Sequence, residues 1–304
     1  MRWYRIRFKV KSWLSSDWQA DTIWGHLCWG LKYLRGEQAL TNFIAAYDTS
    51  QPPLFISNGF PGDLLPRPIL PSPALNFLAD LAGQKEQFDR QKQAKKELFL
   101  NFGEFNRSLR GEMAYPLPKP GICRRVTLKN QINRTTNTTT TEGQSLYPFE
   151  EYYCGAITIY AKITDGFEDR ARELFDYIAK TGYGKRKSVG YGWLEMLQFE
   201  PFAGFDSPDD ANAFVSLSNF APAAHNPTRG FWKTLVKYGK LGEDFANSTN
   251  PFKKPLLMFT AGSVFYDSPI GEFYGRLISG LSSSHPEAEQ YGFALAVPIK
   301  LAGV

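Results

Sequence analysis

At the start of the chain, apolar and charged positions alternate. Trp3, Arg5, Arg7, Lys9 and Lys11 interleave with Tyr4, Ile6, Phe8 and Val10. A period of two predicts a half-buried strand over 3–11. Its polar face is basic apart from Trp3, which suits either solvent or RNA. Ser15-Ser16-Asp17 supplies helix-start chemistry, and the period then lengthens. From about Ala20 to Arg35, Ile23, Leu27, Leu31 and Leu34 share one face with Trp24 and Cys28, which predicts a helix. Gly25 and Gly30 inside it cost about 1 kcal/mol each against alanine, so close packing is expected there. Gly36 ends this helix, and a second is predicted over about Glu37–Tyr47, before Pro52-Pro53.

Residues 54–73 are proline-rich and predict extended loop or sheet edge, free to wrap a neighbour or to lie as an ordered surface loop. Lys85, Arg90, Lys92, Lys95 and Lys96 mark 84–98 as an exposed basic helix. Ala156–Ile163 reads as a strand. Asp165 then caps a predicted helix from Gly166 to Lys180, whose stripe is Phe167, Ala171, Leu174, Phe175 and Ile178. Gly182 stands where a helix-terminating glycine belongs, and a strand follows over Trp193–Phe199. The first 200 residues therefore read β-α-(insertion)-β-α-β, a ferredoxin-like pattern interrupted at about 84–147. A boundary is expected at Pro201–Asp210. Strand candidates at Phe214–Leu217, Pro255–Phe259, Ser263–Tyr266 and Tyr291–Leu301 make 201–304 a second, smaller domain.

Composition adds less than clustering. The net charge of +5 over 304 residues is mild, yet no acidic residue lies between Glu112 and Glu142. That tract holds Lys119, Arg124, Arg125, Lys129 and Arg134 and continues into a run of Thr and Asn, all able to contact phosphate and sugar oxygens. It reads equally as a low-complexity linker. With little apolar drive of its own, the stretch 111–141 is expected to contact RNA and to order on it. Cys28, Cys123 and Cys154 form no CxxC, and the N-terminus is not a signal peptide, so a reducing cytoplasmic setting is expected. No apolar run is long enough for a membrane helix. His26, His225 and His285 belong to no ligand-spaced cluster, and neither metal nor cofactor is expected.

The segment Gly182-Tyr183-Gly184-Lys185-Arg186-Lys187-Ser188-Val189-Gly190-Tyr191-Gly192-Trp193 concentrates the chemistry. Glycines let a backbone approach an anion closely, successive amides can form an anion-binding concavity, and flat side chains can stack bases. The order is not that of a Walker A loop. A helix C-cap followed by a solvated basic turn would look the same. Candidate RNA contacts are Gly184, Lys185, Arg186, Lys187, Ser188 and Gly190, with Arg124, Arg125, Lys129, Asn130, Asn133, Arg134 and Thr135 from the insertion.

Ala20-Asp21-Thr22-Ile23-Trp24-Gly25 resembles the opening of RAMP proteins, the repeat-associated subunits of CRISPR effector complexes, and 182–193 resembles their glycine-rich loop. Four segments in order resemble the 5′-handle-capping subunit of type III-A (Csm) complexes. They are Ala20–Leu34, Leu64-Leu65-Pro66-Arg67-Pro68, Lys129-Asn130-Gln131-Ile132-Asn133-Arg134, and 254–265 with Tyr291-Gly292-Phe293-Ala294. The Lys-Arg-Lys run departs from a strict family pattern. The resemblance implies an α+β chain of two ferredoxin-like (RRM-like) domains whose insertion forms a thumb-like hairpin. It implies binding of the crRNA 5′ handle and contact with a large polymerase/cyclase-type subunit and a backbone RAMP subunit, with no catalysis. The alternatives are a metal-independent crRNA-processing endoribonuclease with His26 and Tyr33 as acid and base, and a pure protein-interaction module.

Overall fold

A computed structural model describes residues 1–49, 51–71, 85, 92, 98–112, 121–130, 132–133, 135–139 and 146–301. The sequence period is realised directly at the N-terminus. Arg2–Val10 is a strand with Tyr4, Ile6, Phe8 and Val10 buried. It lies between Ala156–Ile163 on one side and Leu194–Pro201 on the other, antiparallel to both. Leu54–Ile56 pairs beyond Ala156–Ile163, so the sheet runs Leu194–Pro201, Arg2–Val10, Ala156–Ile163, Leu54–Ile56, with Phe60–Pro61 also on Ala156–Ile163.

The helices Ala20–Arg35 and Glu168–Thr181 pack into the same core, where Phe8 meets Phe175 and Phe175 meets Phe199. Chain order is thus a strand, helices Ala20–Arg35 and Glu37–Ala45, the strand Leu54–Ile56, the insertion, then β-α-β, which adds to the predicted β-α-(insertion)-β-α-β a strand ahead of the insertion. Gly30 is where the two helices meet: a Cβ there would lie 2.8 Å from a ring carbon of Tyr177. At Gly25 the expectation of close packing fails, because a Cβ would have no neighbour within 4 Å. Asp165 does not cap the second helix. Its carboxylate takes Arg2 at 2.9 Å, and Glu168 bonds the Gly166 amide instead.

The insertion folds back on the body. Leu65–Pro66 pairs with Phe99–Leu100, and a helix over Phe102–Leu109 follows, capped by the Asn101 side chain. The proline-rich stretch is held by the chain's own C-terminal part, with the Ile69 amide donating to Gly262 O at 2.8 Å. Of the basic stretch 84–98, Lys85 and Lys92 are helical and exposed, Leu98 precedes the Phe99–Leu100 strand, and the rest lies outside the described residues. Cys123–Asn130 pairs residue for residue with Leu146–Tyr153, a two-stranded ribbon. Within 111–141, Cys123–Asn130 therefore has a strand partner in the chain itself.

Beyond 201 the strands are short and antiparallel. Gly230–Phe231, Val264–Tyr266, Ala213–Ser216 and Ala296–Ile299 form one sheet in that order. Thr234–Lys237 pairs with Leu256–Phe259, and Tyr274–Ile278 with Gln290–Ala294. Among the described residues from 202 to 301 there is a 3-10 turn, Glu243–Asn247, and no α-helix, so the expected second ferredoxin-like layout lacks its helices here. The protein is an α/β chain of several small antiparallel sheets and few helices.

The expected boundary is irregular chain, yet no solvent gap separates the two parts. Tyr291, Phe293, Leu295 and Val297 join Ile6, Trp24 and Leu54 in one core. Tyr291 OH accepts the Ile56 amide at 3.1 Å, and the buried Asp21 takes the Lys237 ammonium at 2.8 Å. Asp21 also accepts from Gln290, which in turn accepts from Lys253 at 2.7 Å. Burial lowers the Lys253 ammonium's pKa.

Candidate nucleic-acid interface

The helix Glu168–Thr181 ends on Gly182, whose φ of +83° turns the chain while its amide closes on Ile178 O at 2.9 Å. Tyr183 then dives into the core, stacked 3.7 Å from Trp18 with its hydroxyl on Asp17 O, so it offers no face to a base. Gly192 closes the loop. Its carbonyl accepts from the Tyr183 amide, its own amide donates to Trp13 O, and at φ +67° a Cβ would stand 2.0 Å from Tyr183 O.

The amides expected to cradle an anion are engaged at two key points. Gly184 donates to the His26 ring at 3.1 Å and Lys185 to Ser16 Oγ at 2.8 Å, while Ser15 donates to Lys185 O. The glycines here permit a tight fold-back, and what the loop shows to solvent is side chains. Lys185, Arg186, Ser188, Val189 and Gly190 are exposed, as is Trp193. Arg186 itself sits in the left-handed region at φ +61°.

The insertion ribbon comes to this loop. Lys129 donates to Tyr191 OH at 2.9 Å, and Phe149 meets the Tyr191 ring edge-on at 5.5 Å. Arg186 bonds Tyr147 OH and lies 4.5 Å over the Phe149 ring. Arg125 stacks 3.8 Å over Trp13 and reaches Glu151 at 3.1 Å. Burial pushes the Glu151 carboxyl up, but hydrogen bonds, those of Thr127 and Arg125 among them, outweigh it and hold the group below the ordinary carboxylate range. Arg124 lies over Tyr152, and Asn130 is exposed at the ribbon's end. Asn133 and Thr135 close on each other in the short hairpin Ile132–Asn133/Thr138–Thr139, at 2.9 Å. Arg134 lies outside the described residues.

The cations divide into two kinds. Along the first strand and just past it, Arg5 pairs with Glu200, Arg7 with Asp63 and Lys11 with Glu195, so three of the four cations of the basic face read from the sequence are neutralised by neighbours, while Lys9 is exposed. In the loop, Lys187 is likewise bound by Glu243. Lys129, Arg124 and Arg186 rest instead on rings and phenol oxygens, which leave their charge in place, and Lys185 has no side-chain partner among the described residues. The aromatic support of Tyr147, Phe149 and Trp13 went unread in the sequence, although Tyr147, Phe149, Glu151 and Tyr153 alternate along one strand face.

His26 and Tyr33 share a helix but not a site. His26 Nε2 is occupied by the Gly184 amide, and its pKa is pushed down to about 3 by burial and by the nearby Lys187 charge. Tyr33 donates to Asp244 at 2.8 Å. Among the described residues no group of His, Cys, Asp and Glu is arranged to hold a metal, and no helix is long and apolar enough to cross a membrane.

The site is thus an insertion ribbon set against a glycine-rich basic loop, on a body whose C-terminal part shares its core. Over 291 residues the chain is 26% identical to "CRISPR system Cms protein Csm4" of Thermococcus onnurineus (strain NA1), covering 92% of this chain and 90% of that one. It shares its fold with a chain of the Csm1-Csm4 cassette crystallised with pppApA, at a TM-score of 0.69 and 17% identity over the full length of both. It likewise matches the Csm3-Csm4 subcomplex of a type III-A CRISPR-Cas interference complex, at 0.63 and 14% over 99% of this chain and 100% of that one. No protein-family model matches the chain.

Proposed function

We propose that this chain is a non-catalytic crRNA-binding subunit of a type III CRISPR ribonucleoprotein. It caps the 5′ repeat handle and docks a large polymerase/cyclase-type subunit and a backbone RAMP subunit, in the cytoplasm, in antiviral defence. The observation that carries the reading is the meeting of ribbon and glycine loop: Lys129 and Arg186 rest on Tyr191, Tyr147 and Phe149 rather than on carboxylates. Such cations keep their charge for phosphate, and the rings hold them in place. Likeness to Csm4 over nearly the whole chain, and to chains crystallised in Csm1-Csm4 and Csm3-Csm4 assemblies, supports the partners. These contacts position a strand without reading its sequence.

The endoribonuclease reading has less support, because a His26 whose lone pair already holds the Gly184 amide is poorly placed to take a proton from a ribose hydroxyl. Incubation of the purified chain with labelled repeat RNA in EDTA tests both readings. Retarded but intact RNA is expected. Cleavage that disappears in His26→Ala would overturn the non-catalytic assignment, and absence of any retained RNA would overturn the binding one.

A further inference from the structure

The C-terminal part carries an exposed aromatic face that neither ribbon nor loop accounts for. Thr234–Lys237 pairs with Leu256–Phe259, and side chains of such a ladder alternate between its faces. Trp232, Thr234, Val236, Tyr238 and Lys240 are exposed at every second position, while Leu235 and Lys237 between them are half-buried. Lys237 explains the register: its ammonium is fixed inward on Asp21, Gln19 and Thr22. Across the ladder Val236 faces Leu257, and an isolated bridge sets Lys240 opposite Phe252. Trp232, Val236, Tyr238, Phe252 and Leu257 are between 46% and 76% exposed.

Charge selects the occupant. Lys240 lies 5.9 Å from the Phe252 ring, Lys254 donates to Gly280 O, and neither these nor Lys233 has a carboxylate partner among the described residues. The only acids from 229 to 260 are Glu243 and Asp244, engaged with Lys187 and Tyr33. An apolar protein partner would bury Lys240 beside Phe252 without an answering charge, which is costly. A nucleic-acid strand supplies phosphates for the lysines and bases for the rings.

We propose that the face made by Trp232, Val236, Tyr238, Lys240, Phe252 and Leu257 binds single-stranded RNA, as a second surface separate from the glycine loop. Stacking on Trp232, Tyr238 and Phe252 tolerates any base, so this face holds a strand without selecting it. It does not rest on the handle-binding reading.

The test uses the full chain and a fluorescein-labelled oligouridylate, followed by anisotropy, with ultraviolet cross-linking and peptide mapping. The combined variant Trp232→Ala, Tyr238→Ala, Phe252→Ala is expected to loosen binding about tenfold for each ring removed. Lys240→Ala with Lys254→Ala is expected to flatten the salt dependence. Circular dichroism checks folding, and Tyr238→Ala alone, at the most exposed ring, serves if the combined variant does not fold. Unchanged affinity with no cross-link between 230 and 257 overturns the proposal, as does loss of a co-purified protein subunit with RNA affinity intact, which makes this a protein-docking face. Lys185→Ala with Arg186→Ala, run in parallel, separates the two surfaces: loss there alone leaves the loop reading standing without this one, and loss on the aromatic face alone does the reverse.

Discussion

Gly184 donates its amide to the ring Nε2 of His26 at 3.1 Å, which ties the glycine loop to the first helix through a neutral imidazole. The folded-state pKa of about 3 lies below the ordinary 6.5, so the folded chain binds fewer protons than the unfolded chain between those values. Stability from this group is fully present above pH 6.5 and falls as pH drops, by about 2 kcal/mol at pH 5. Urea unfolding at pH 7.5 and pH 5 should show that loss in the wild-type chain and much less of it in His26→Gln. Equal losses in both would mean that other groups govern the acid limb.

Two glycines of one helix should respond oppositely to the same change. Gly25→Ala adds a methyl where no atom lies within 4 Å and gains the helix propensity of alanine, so it should stabilise by about 1 kcal/mol. Gly30→Ala pushes a methyl to 2.8 Å from the Tyr177 ring and should destabilise by about 1–3 kcal/mol. Thermal melts of the two variants decide it, and a stable Gly30→Ala would show that the helices can part there without loss.

These glycines also show what the sequence carried. Both read as packing positions, because a helix interior penalises glycine, but only the fold says which one has a neighbour. Local periods were legible: Arg2–Val10, Ala20–Arg35, Ala156–Ile163 and the helix ending at Thr181 lie where apolar spacing put them. Short elements escaped. Phe102–Leu109 has its Asn101 cap and Phe102, Phe105 and Leu109 in helical spacing, yet eight residues within an irregular insertion gave little period to read. Thr234–Lys237 alternates in exposure but turns Val236 outward and Lys237 inward, against the usual apolar-in pattern, and Tyr274–Ile278 buries Tyr274 and Gly275 side by side, so neither shows the alternation in its sequence. The state of a charge was not legible at all. Arg5 and Lys11 looked as free as Arg124 and Lys129, and the carboxylates that neutralise them, Glu200 and Glu195, come from a strand nearly the whole first unit away.

The join between the two parts rests on a buried charge. Asp21, nearly inaccessible, takes Lys237 at 2.8 Å and accepts from Gln290, so its removal leaves the ammonium no counter-charge, only the neutral oxygens of Gln19 and Thr22. Asp21→Ala should cost about 3–5 kcal/mol. The double variant Asp21→Ala, Lys237→Met should recover much of it, since the unpaired charge is gone. Denaturant midpoints of the two variants check this, and a double variant no better than the single would show that Asp21 matters for Gln290 rather than for Lys237.

The division of the cations gives the last prediction. A lysine bound by a carboxylate contributes little net field, whereas one resting on a ring or in solvent does, and each phosphate neutralised adds about 0.7 to the slope of log affinity on log salt for a single strand. Lys129→Ala, Lys185→Ala and Arg186→Ala should therefore each weaken handle-RNA binding and lower that slope. Arg5→Ala and Lys11→Ala, at sites paired with Glu200 and Glu195, should leave the slope where it was. Lys187 is the informative intermediate. It sits in the loop but is bound by Glu243, so Lys187→Ala should resemble the paired class, and Glu243→Gln should release the lysine, tighten binding and steepen the slope. Filter binding across a salt series reads all seven variants on one scale. A slope that falls equally for Lys185→Ala and Arg5→Ala would mean that pairing with carboxylates does not decide which cations meet RNA, and the assignment of the surface to ribbon and loop would fail with it.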